Sequence, residues 1–477
     1  IRNQQARHLV IQGVAGSGKT SIALHRIAFL LYKYKDTISS EDILIISPNK
    51  VFASYISNVL PELGEESVEE TSMEELADEL FDYQIKFQSF FDQVSELLKR
   101  TNEKLIERIR FKSSVDMLEQ MDAYVLHLEN DAFRPADILI HNKPVPAWFI
   151  EEKFRKYNRL PLLKRFNEIV REVVHNVFVQ YGYEVTGKER QQLHTRIRKM
   201  FPSTNLRMLY KGFYSWLGKP EMLKVKKGSV YEYADVYPLL YLKMQLEGLS
   251  SFSKVKHLIV DEMQDYSPVQ YKVLTRLFPC KKTILGDINQ SVNPFSSSNL
   301  DTISEVIPNA ECMTMLKSYR STWEITEFTK RINNNMDVEA IERHGEDPRV
   351  ERFDQEEEEV DYLVDAIKAF RSNGHHSLGI ICKTQAQADE LHRLLSVVDE
   401  DLHLLDPSSV AFAGGVVITA AHLAKGLEFD QVIVPRTNRQ NYHTEPDRQM
   451  LYVACTRAMH KLHISYTGRM TPFLEEK

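Results

Sequence analysis

The chain runs to 477 residues, 43% hydrophobic and 27% charged; that accommodates two or three domains each able to bury a core, and no apolar run is long enough to span a membrane. A net charge of -7 is not that of a simple nucleic-acid coat. The four cysteines, Cys280, Cys312, Cys382 and Cys455, form no CxxC pair, which argues against a disulfide framework or zinc site and for a reduced, cytoplasmic setting; the first residues do not read as a signal peptide.

His8 to Gln12 (HLVIQ) reads as a short strand, Gly13 to Thr20 (GVAGSGKT) as a glycine loop and Ser21 to Tyr34 as a helix. Strand, glycine loop, Lys-Thr and helix make up the context of a P-loop. Gly13, Gly16 and Gly18 let the loop backbone, Ala15 and Ser17 included, turn its N–H groups onto phosphate oxygens. The positive end of the helix that opens at Thr20 and Ser21 adds to that attraction. Lys19 carries a point charge to the β- and γ-phosphates of a nucleotide such as ATP, and the Thr20 hydroxyl can hold Mg²⁺.

Ile43 to Ser47 is a second buried strand ended by Pro48, and Val51 to Leu60 a helix stopped at Pro61. Glu62 to Glu79 holds nine acidic residues and no Lys or Arg. From Phe81 to about Glu129 the periodicity is helical, with FFDQVSELLKR and SSVDMLEQMDAYVLHL the clearest pieces. Beyond that, to about Tyr233, aromatics and prolines are scattered and no fold is legible. Glu151 to Val230 carries 18 Lys and Arg against 7 Asp and Glu. Such a run is either a solvated face or one turned to a polyanion or an acidic partner. Because it interrupts an α/β pattern that resumes at Val255, the stretch reads as an insertion.

His257 to Val260 (HLIV) is a strand running into Asp261 and Glu262. Two carboxylates at the end of a buried strand are costly without a cation. With a P-loop in the same chain, Asp261 is expected to hold Mg²⁺, and Glu262 to orient and deprotonate the attacking water. The alternative is an acidic cap before the helix at Pro268. Lys281 to Gly286 is another strand, and Gln290 beyond it is placed to sense a γ-phosphate. Cys312 to Leu316 is a short strand leading into Lys317-Ser318-Tyr319-Arg320-Ser321. A second α/β unit follows. Its strands are Val350 to Phe353, Ser377 to Cys382, Gly415 to Thr419, Gln431 to Val434 and Leu462 to Ser465. Its helices are Glu356 to Phe370, Gln385 to Leu395 and Arg448 to Ala458. Alternating strands and helices predict parallel, doubly wound sheets with functional loops at the strand C-termini.

The ordered strings GVAGSGKT, IVDEMQD, LGDINQS, LKSYRS, AKGLEF and LYVACTRA resemble motifs I to VI of the UvrD/Rep type of superfamily-one helicases. The resemblance implies two RecA-like P-loop NTPase domains, the first formed by residues 1–81 and 234–318, the second by 319–477. Residues 82–233 would be a mainly helical, partly basic insertion in the first. It implies that Tyr319 stacks on adenine and that Gly426 and Glu428 lie near the nucleotide sugar. Arg320 and Arg457 would be arginine fingers, a role worth roughly 10³–10⁵ in rate. Asn49, Phe295 and His422 are the nucleic-acid contacts it implies.

The departures from that pattern carry information too. Ser21 stands where the family often has arginine. The adenine-reading glutamine would fall before Ile1, so the chain is expected to be a fragment, and Gln4 and Gln5 are poor substitutes. Ser47 and Asn293 replace aromatics on which family members stack single-strand bases, each stack being worth about 1–3 kcal/mol. About forty residues separate Cys382 from Lys425, too few for the family's large accessory domain. An intact ATPase with an altered nucleic-acid track resembles the HelD branch, motors that bind RNA polymerase and release it from nucleic acid. SPNKVFASYISNVLPELGE and ALHRIAFLLY are similar to that branch. The expected protein is a cytoplasmic monomer using ATP and Mg²⁺, with RNA polymerase as partner, weak single-strand DNA or RNA binding and no membrane contact. A 3′-to-5′ DNA helicase and a nucleotide-gated binding module are the alternatives.

Overall fold

Most inner strands of the two parallel sheets are near-continuous apolar runs because both of their faces are covered, whereas the edge strands are more polar. In a computed structural model describing residues 1–47, 64, 66–99, 102–249, 251–291, 293, 300–333, 337–406, 409 and 414–475, β1 (His8–Gly13) turns through the glycine loop into α1 (Lys19–Lys33). β2 (Ile43–Ile46) and β3 (Glu69–Thr71) follow, then α2 (Met73–Leu80). Ser72 and Glu75 cap α2 reciprocally, each side chain accepting from the other's backbone N–H. The helix expected at 51–60, Asn49 and Phe295 lie outside the described residues.

The stretch between α2 and the resumed α/β pattern is mostly helical, both to about Glu129, where the periodicity predicts it, and beyond, where no fold is legible in the sequence. It comprises α3 (Phe90–Lys99), α4 (Glu103–Lys112), α5 (Val115–His127), α6 (Ala147–Lys156), α7 (Leu162–Tyr181), α8 (Gly187–Arg198), α9 (Leu206–Trp216) and α10 (Tyr233–Glu247). Two small hairpins interrupt it, β4 (Ile138–Ile140) with β5 (Lys143–Val145), and β6 (Val225–Lys226) with β7 (Val230–Tyr231). The α/β pattern then resumes with β8 (His257–Val260), α11 (Pro268–Leu277), β9 (Lys281–Gly286), α12 (Leu300–Val306) and β10 (Ala310–Met315).

The first sheet is parallel, in the order β10-β1-β9-β8-β2-β3. Its side chains alternate with period two. Leu9, Ile11, Ile43, Ile45 and Leu285 pack on Ala23, Leu24 and Ile27 of α1. Val10, Leu44, Ile46, Leu258, Val260 and Ile284 belong instead to the core shared with the inserted helices. The insertion is therefore a full layer of this domain rather than an appendage. α10 is apolar nearly all round because it is buried between the sheet's neighbours and the other helices.

After β11 (Lys317–Ser318), α13 (Trp323–Asn333) and β12 (Glu339–Ala340) comes the second sheet. Its elements are β13 (Arg349–Phe353), α14 (Glu356–Arg371), β14 (Ser377–Cys382), α15 (Gln385–Leu395), β15 (Leu402–Leu405), β16 (Gly415–Ala420), β17 (Phe429–Val434), α16 (Glu445–Cys455) and β18 (Ala458–Thr467). They form a parallel sheet ordered β13-β18-β17-β14-β16-β15. The chain is thus α/β, with two parallel doubly wound sheets consistent with two RecA-like domains. α16 begins three residues before the sequence reading placed it, because Thr444 and Asp447 make a capping box, and it ends at Cys455, after which Thr456 and Arg457 turn the chain into β18. Among the described residues no helix is long and apolar enough to cross a membrane.

Candidate functional site between the two sheets

The glycine loop takes its shape from Gly16 (φ 69°) and Gly18 (φ 78°), both left-handed. A side chain at Gly16 would also run into Arg320, whose backbone lies directly over the loop. The Tyr319 N–H donates to the Gly16 carbonyl at 2.8 Å, and the Val14 N–H to Met315 at 3.0 Å. The loop is so held by the end of β10 and by the segment that begins the second lobe. Lys19 donates to the carbonyls of Gly13 (2.9 Å) and Val14 (3.0 Å), and burial pushes its ammonium pKa down. Ala15 and Ser17 are buried, and the Ser17 hydroxyl has no partner among the described residues. Ser21 is exposed on the first turn of α1.

β8 delivers Asp261 and Glu262 opposite that loop. Thr20 Oγ1 donates to Asp261 Oδ2 at 3.3 Å. Burial, then the neighbouring Glu262, push the Asp261 carboxyl pKa up. Burial also pushes Glu262 upward, but Lys425, Lys19 and Arg457 outweigh it and hold that carboxyl below its ordinary range. Glu262 has φ 54° and ψ 41°, a left-handed conformation uncommon outside glycine that marks stored backbone strain. Its carboxylate accepts from Gln264 Nε2, and Gln264 Oε1 accepts from the Asp287 N–H at 2.9 Å.

These residues fit a nucleoside triphosphate with Mg²⁺. A hydroxyl and a carboxylate oxygen converge at Thr20 and Asp261, and two adjacent buried carboxylates call for positive charge. Among the described residues no group of three or more His, Cys, Asp or Glu could cage a metal. Mg²⁺ keeps waters and phosphate oxygens as ligands, so a hydroxyl and one carboxylate are enough protein donors to hold it.

The second lobe closes over the site with cations. Arg457, 1% exposed, donates from Nε to Val453 O (3.1 Å) and from Nη2 to both Thr456 Oγ1 (3.2 Å) and Gln290 Oε1. Gln290 in turn donates to Asp287 Oδ2 at 2.9 Å. Arg320 pairs with Glu428 and donates to Thr456 O at 3.4 Å. Tyr319 is 54% exposed beside the loop, its ring open to stacking. Gly426, with φ 83°, forms the turn between Lys425 and Glu428.

Sequence reasoning missed Lys425, Asp265 and Asp287. Lys425 is buried, pairs with Asp265 and lies 3.6 Å from Glu262. The Asp265 carboxylate also accepts from Ser291 Oγ and from the Asn293 N–H, each at 3.2 Å. The signal was present in AKGLEF and IVDEMQD, each quoted as a string without a role for its lysine or last aspartate.

The nucleic-acid candidates fare differently. His422 is 2% exposed, its ring 5.7 Å from Phe91 of α3, and burial pushes its pKa down to about 4. It offers no face to a base in this arrangement of the lobes. Ser47 and Asn293 are buried too, the former donating its N–H to Thr71 O at 3.1 Å.

Comparison with known proteins accords with this geometry. The family model described as the UvrD/REP helicase N-terminal domain matches residues 1–311, and that of the UvrD-like helicase C-terminal domain matches residues 415–465. The chain is similar to protein R568 of Acanthamoeba polyphaga mimivirus (24% identical, 60% of this chain and 46% of that protein). It is also similar to the DNA helicase II of Haemophilus influenzae (25%, covering 69% and 39%) and the ATP-dependent DNA helicase srs2 of Schizosaccharomyces pombe (23%, covering 69% and 33%). The chain spans under half the length of each of these curated relatives. A solved structure of the C-terminal domain of a possible DNA helicase from Lactobacillus plantarum WCFS1 is 38% identical over 33% of this chain and 92% of that chain, with a TM-score of 0.29.

Proposed function

The chain belongs to the UvrD/REP helicase family, and from that premise we propose that it is an ATP-hydrolysing motor whose turnover requires its two lobes to close on one nucleotide. The contact of second-lobe Arg457 with first-lobe Gln290 carries this reading. A guanidinium supplied by the far lobe reaches the phosphates only when the cleft is shut, so hydrolysis and lobe movement are coupled. Lys19 leaves the loop carbonyls to hold the phosphates, and the loop N–H groups cradle them. Glu262 takes the proton of the attacking water, and Gln290 reports the γ-phosphate to Arg457. Mg²⁺, held by Thr20 and Asp261, would neutralise charge growing between the β- and γ-oxygens. Tyr319 stacks on the base, Glu428 faces the sugar beside Gly426, and Arg320 swings from Glu428 to the phosphates.

The finer reading is that the motor acts on RNA polymerase to release it from nucleic acid. It is supported by the buried, hydrogen-bonded Ser47 and Asn293, which leave no stacking platform at two positions, and by the basic insertion. The alternative, a 3′-to-5′ helicase on single-stranded DNA, is favoured by the names of the relatives. One experiment separates them: ATP turnover with single-stranded DNA or with a stalled polymerase complex, alongside strand separation of a tailed duplex. Stimulation by the polymerase complex with its release, and weak, salt-sensitive stimulation by DNA, is the expected result. Robust unwinding without any effect on polymerase rejects the finer reading.

A further inference from the structure

The first inserted helix has two apolar faces that point to different lobes. Phe91, Val94 and Leu98, spaced i, i+3, i+7, pack on the core of the second lobe, where Val94 is 1% exposed. Leu97 packs on Leu105, Ile109 and Ala234 of the insertion. Phe90 lies edge-on to Tyr233 at 5.5 Å, at the start of α10. A Glu74 carboxylate accepts from the Phe90 N–H at 2.6 Å, and Glu96 accepts from Lys226 at 2.6 Å, so α3 is tied to α2 of the first lobe at its start and to β6 of the insertion further along.

Both flanks of the Asp265–Lys425 ion pair rest on this helix. Phe91 covers His422, three residues before Lys425 in the same loop. On the other side the Tyr233 hydroxyl under Phe90 accepts from Gln270 (3.3 Å), whose Oε1 accepts from the Ser267 N–H (2.8 Å), two residues beyond Asp265. We infer that α3 is a brace that seats the 420–428 loop of the second lobe against the first, making Phe91 a positioning residue for Lys425 at Glu262 and Asp265. The inference rests on the ATP-hydrolysing reading of that site. Through α3, movement of the insertion, to which the helix is anchored, shifts the charge that faces Glu262, and cleft closure moves the insertion in return.

The test compares Phe91→Ala and Phe91→Leu with the full chain, by steady-state ATP turnover and nucleotide affinity, with melting temperature as the check on folding. Phe91→Ala is expected to lower kcat on the order of tenfold while leaving KM and affinity nearly unchanged, since a displaced charge acts on the transition state. Phe91→Leu, which refills the gap, is expected to recover most of the rate. Wild-type kcat in Phe91→Ala, or a loss that Phe91→Leu does not recover, overturns the inference. A second measurement is hydrogen exchange of the wild type with Mg²⁺ and adenylyl imidodiphosphate. Protection is expected at residues 89–98 together with the glycine loop. Protection of the glycine loop alone overturns the brace. No protection anywhere, with no turnover in the wild type, strikes the ATP-hydrolysing reading itself and the brace with it.

Discussion

Glu262 combines a left-handed backbone, a carboxyl held ionised by three cations and a place facing the P-loop. An ionised carboxylate poised there is what a general base needs, so Glu262→Gln is expected to keep nucleotide affinity and lose about 10²–10⁴ in turnover, read by single-turnover hydrolysis. Lys19→Ala acts earlier. It removes the side-chain charge of the glycine loop, and nucleotide binding measured by calorimetry is expected to fall below detection. Most of these residues were legible because P-loop and carboxylate motifs are local in sequence. Lys425 was not, since a buried lysine looks like any surface lysine until Asp265 and Glu262, about 160 residues earlier, are seen beside it. The burial of His422 was hidden for the same reason: its cover, Phe91, lies in a helix far from it in the sequence.

Among elements, α4, α9 and α10 are joined by charges rather than by apolar contact alone. Lys112 bonds Asp235 (2.8 Å) and Glu232 (3.2 Å), Arg108 clasps Glu232, and the Tyr210 hydroxyl donates to Asp235 at 2.7 Å, all buried. Removing one partner strands the others, so Lys112→Met is expected to cost about 3–5 kcal/mol in urea unfolding. Replacing Asp235 by Asn as well should return part of that loss. The first sheet carries an acid liability. His257 on β8 is buried against Thr283 (2.9 Å), and burial together with Arg26, Lys281 and Lys282 pushes its pKa from 6.5 down to about 3. The folded state therefore refuses a proton that the unfolded state accepts. The contribution of neutral His257 is complete above pH 6.5 and is lost as pH falls from there towards 3, on the order of 1 kcal/mol per pH unit. His257→Gln is expected to flatten that slope in unfolding curves taken across the window. Most strands of the two sheets were legible as apolar runs, whereas β3, inside an acidic stretch, the edge strand β15 and the four helices α6 to α9 were not. Those helices mix basic and apolar residues at spacings that only make sense once α7 and α10 supply the surfaces they cover.

At the scale of the molecule, one face of the first sheet and the insertion share a core. Excising 151–230 would therefore expose it, and the partner question is better put by charge reversal. Arg159, Lys188 and Arg190 are exposed on the insertion. On the proposed polymerase reading, reversing all three to Glu is expected to leave basal ATP turnover within about twofold and to weaken polymerase release, the loss being largest at low salt where long-range charge matters most. Unchanged release by that variant would move the docking surface elsewhere. The two sheets meet through Arg457 on Gln290, Lys425 on Asp265 and the Tyr319 N–H on Gly16, so the nucleotide site exists only as a joint property of both lobes. The most direct measurement of that claim is the pre-steady-state hydrolysis rate and nucleotide affinity of Arg457→Ala. The account predicts a rate lower by about 10³–10⁵ with affinity close to wild type, because the far-lobe cation acts on the transition state in the closed cleft. An unchanged rate, or a loss confined to affinity, would contradict it.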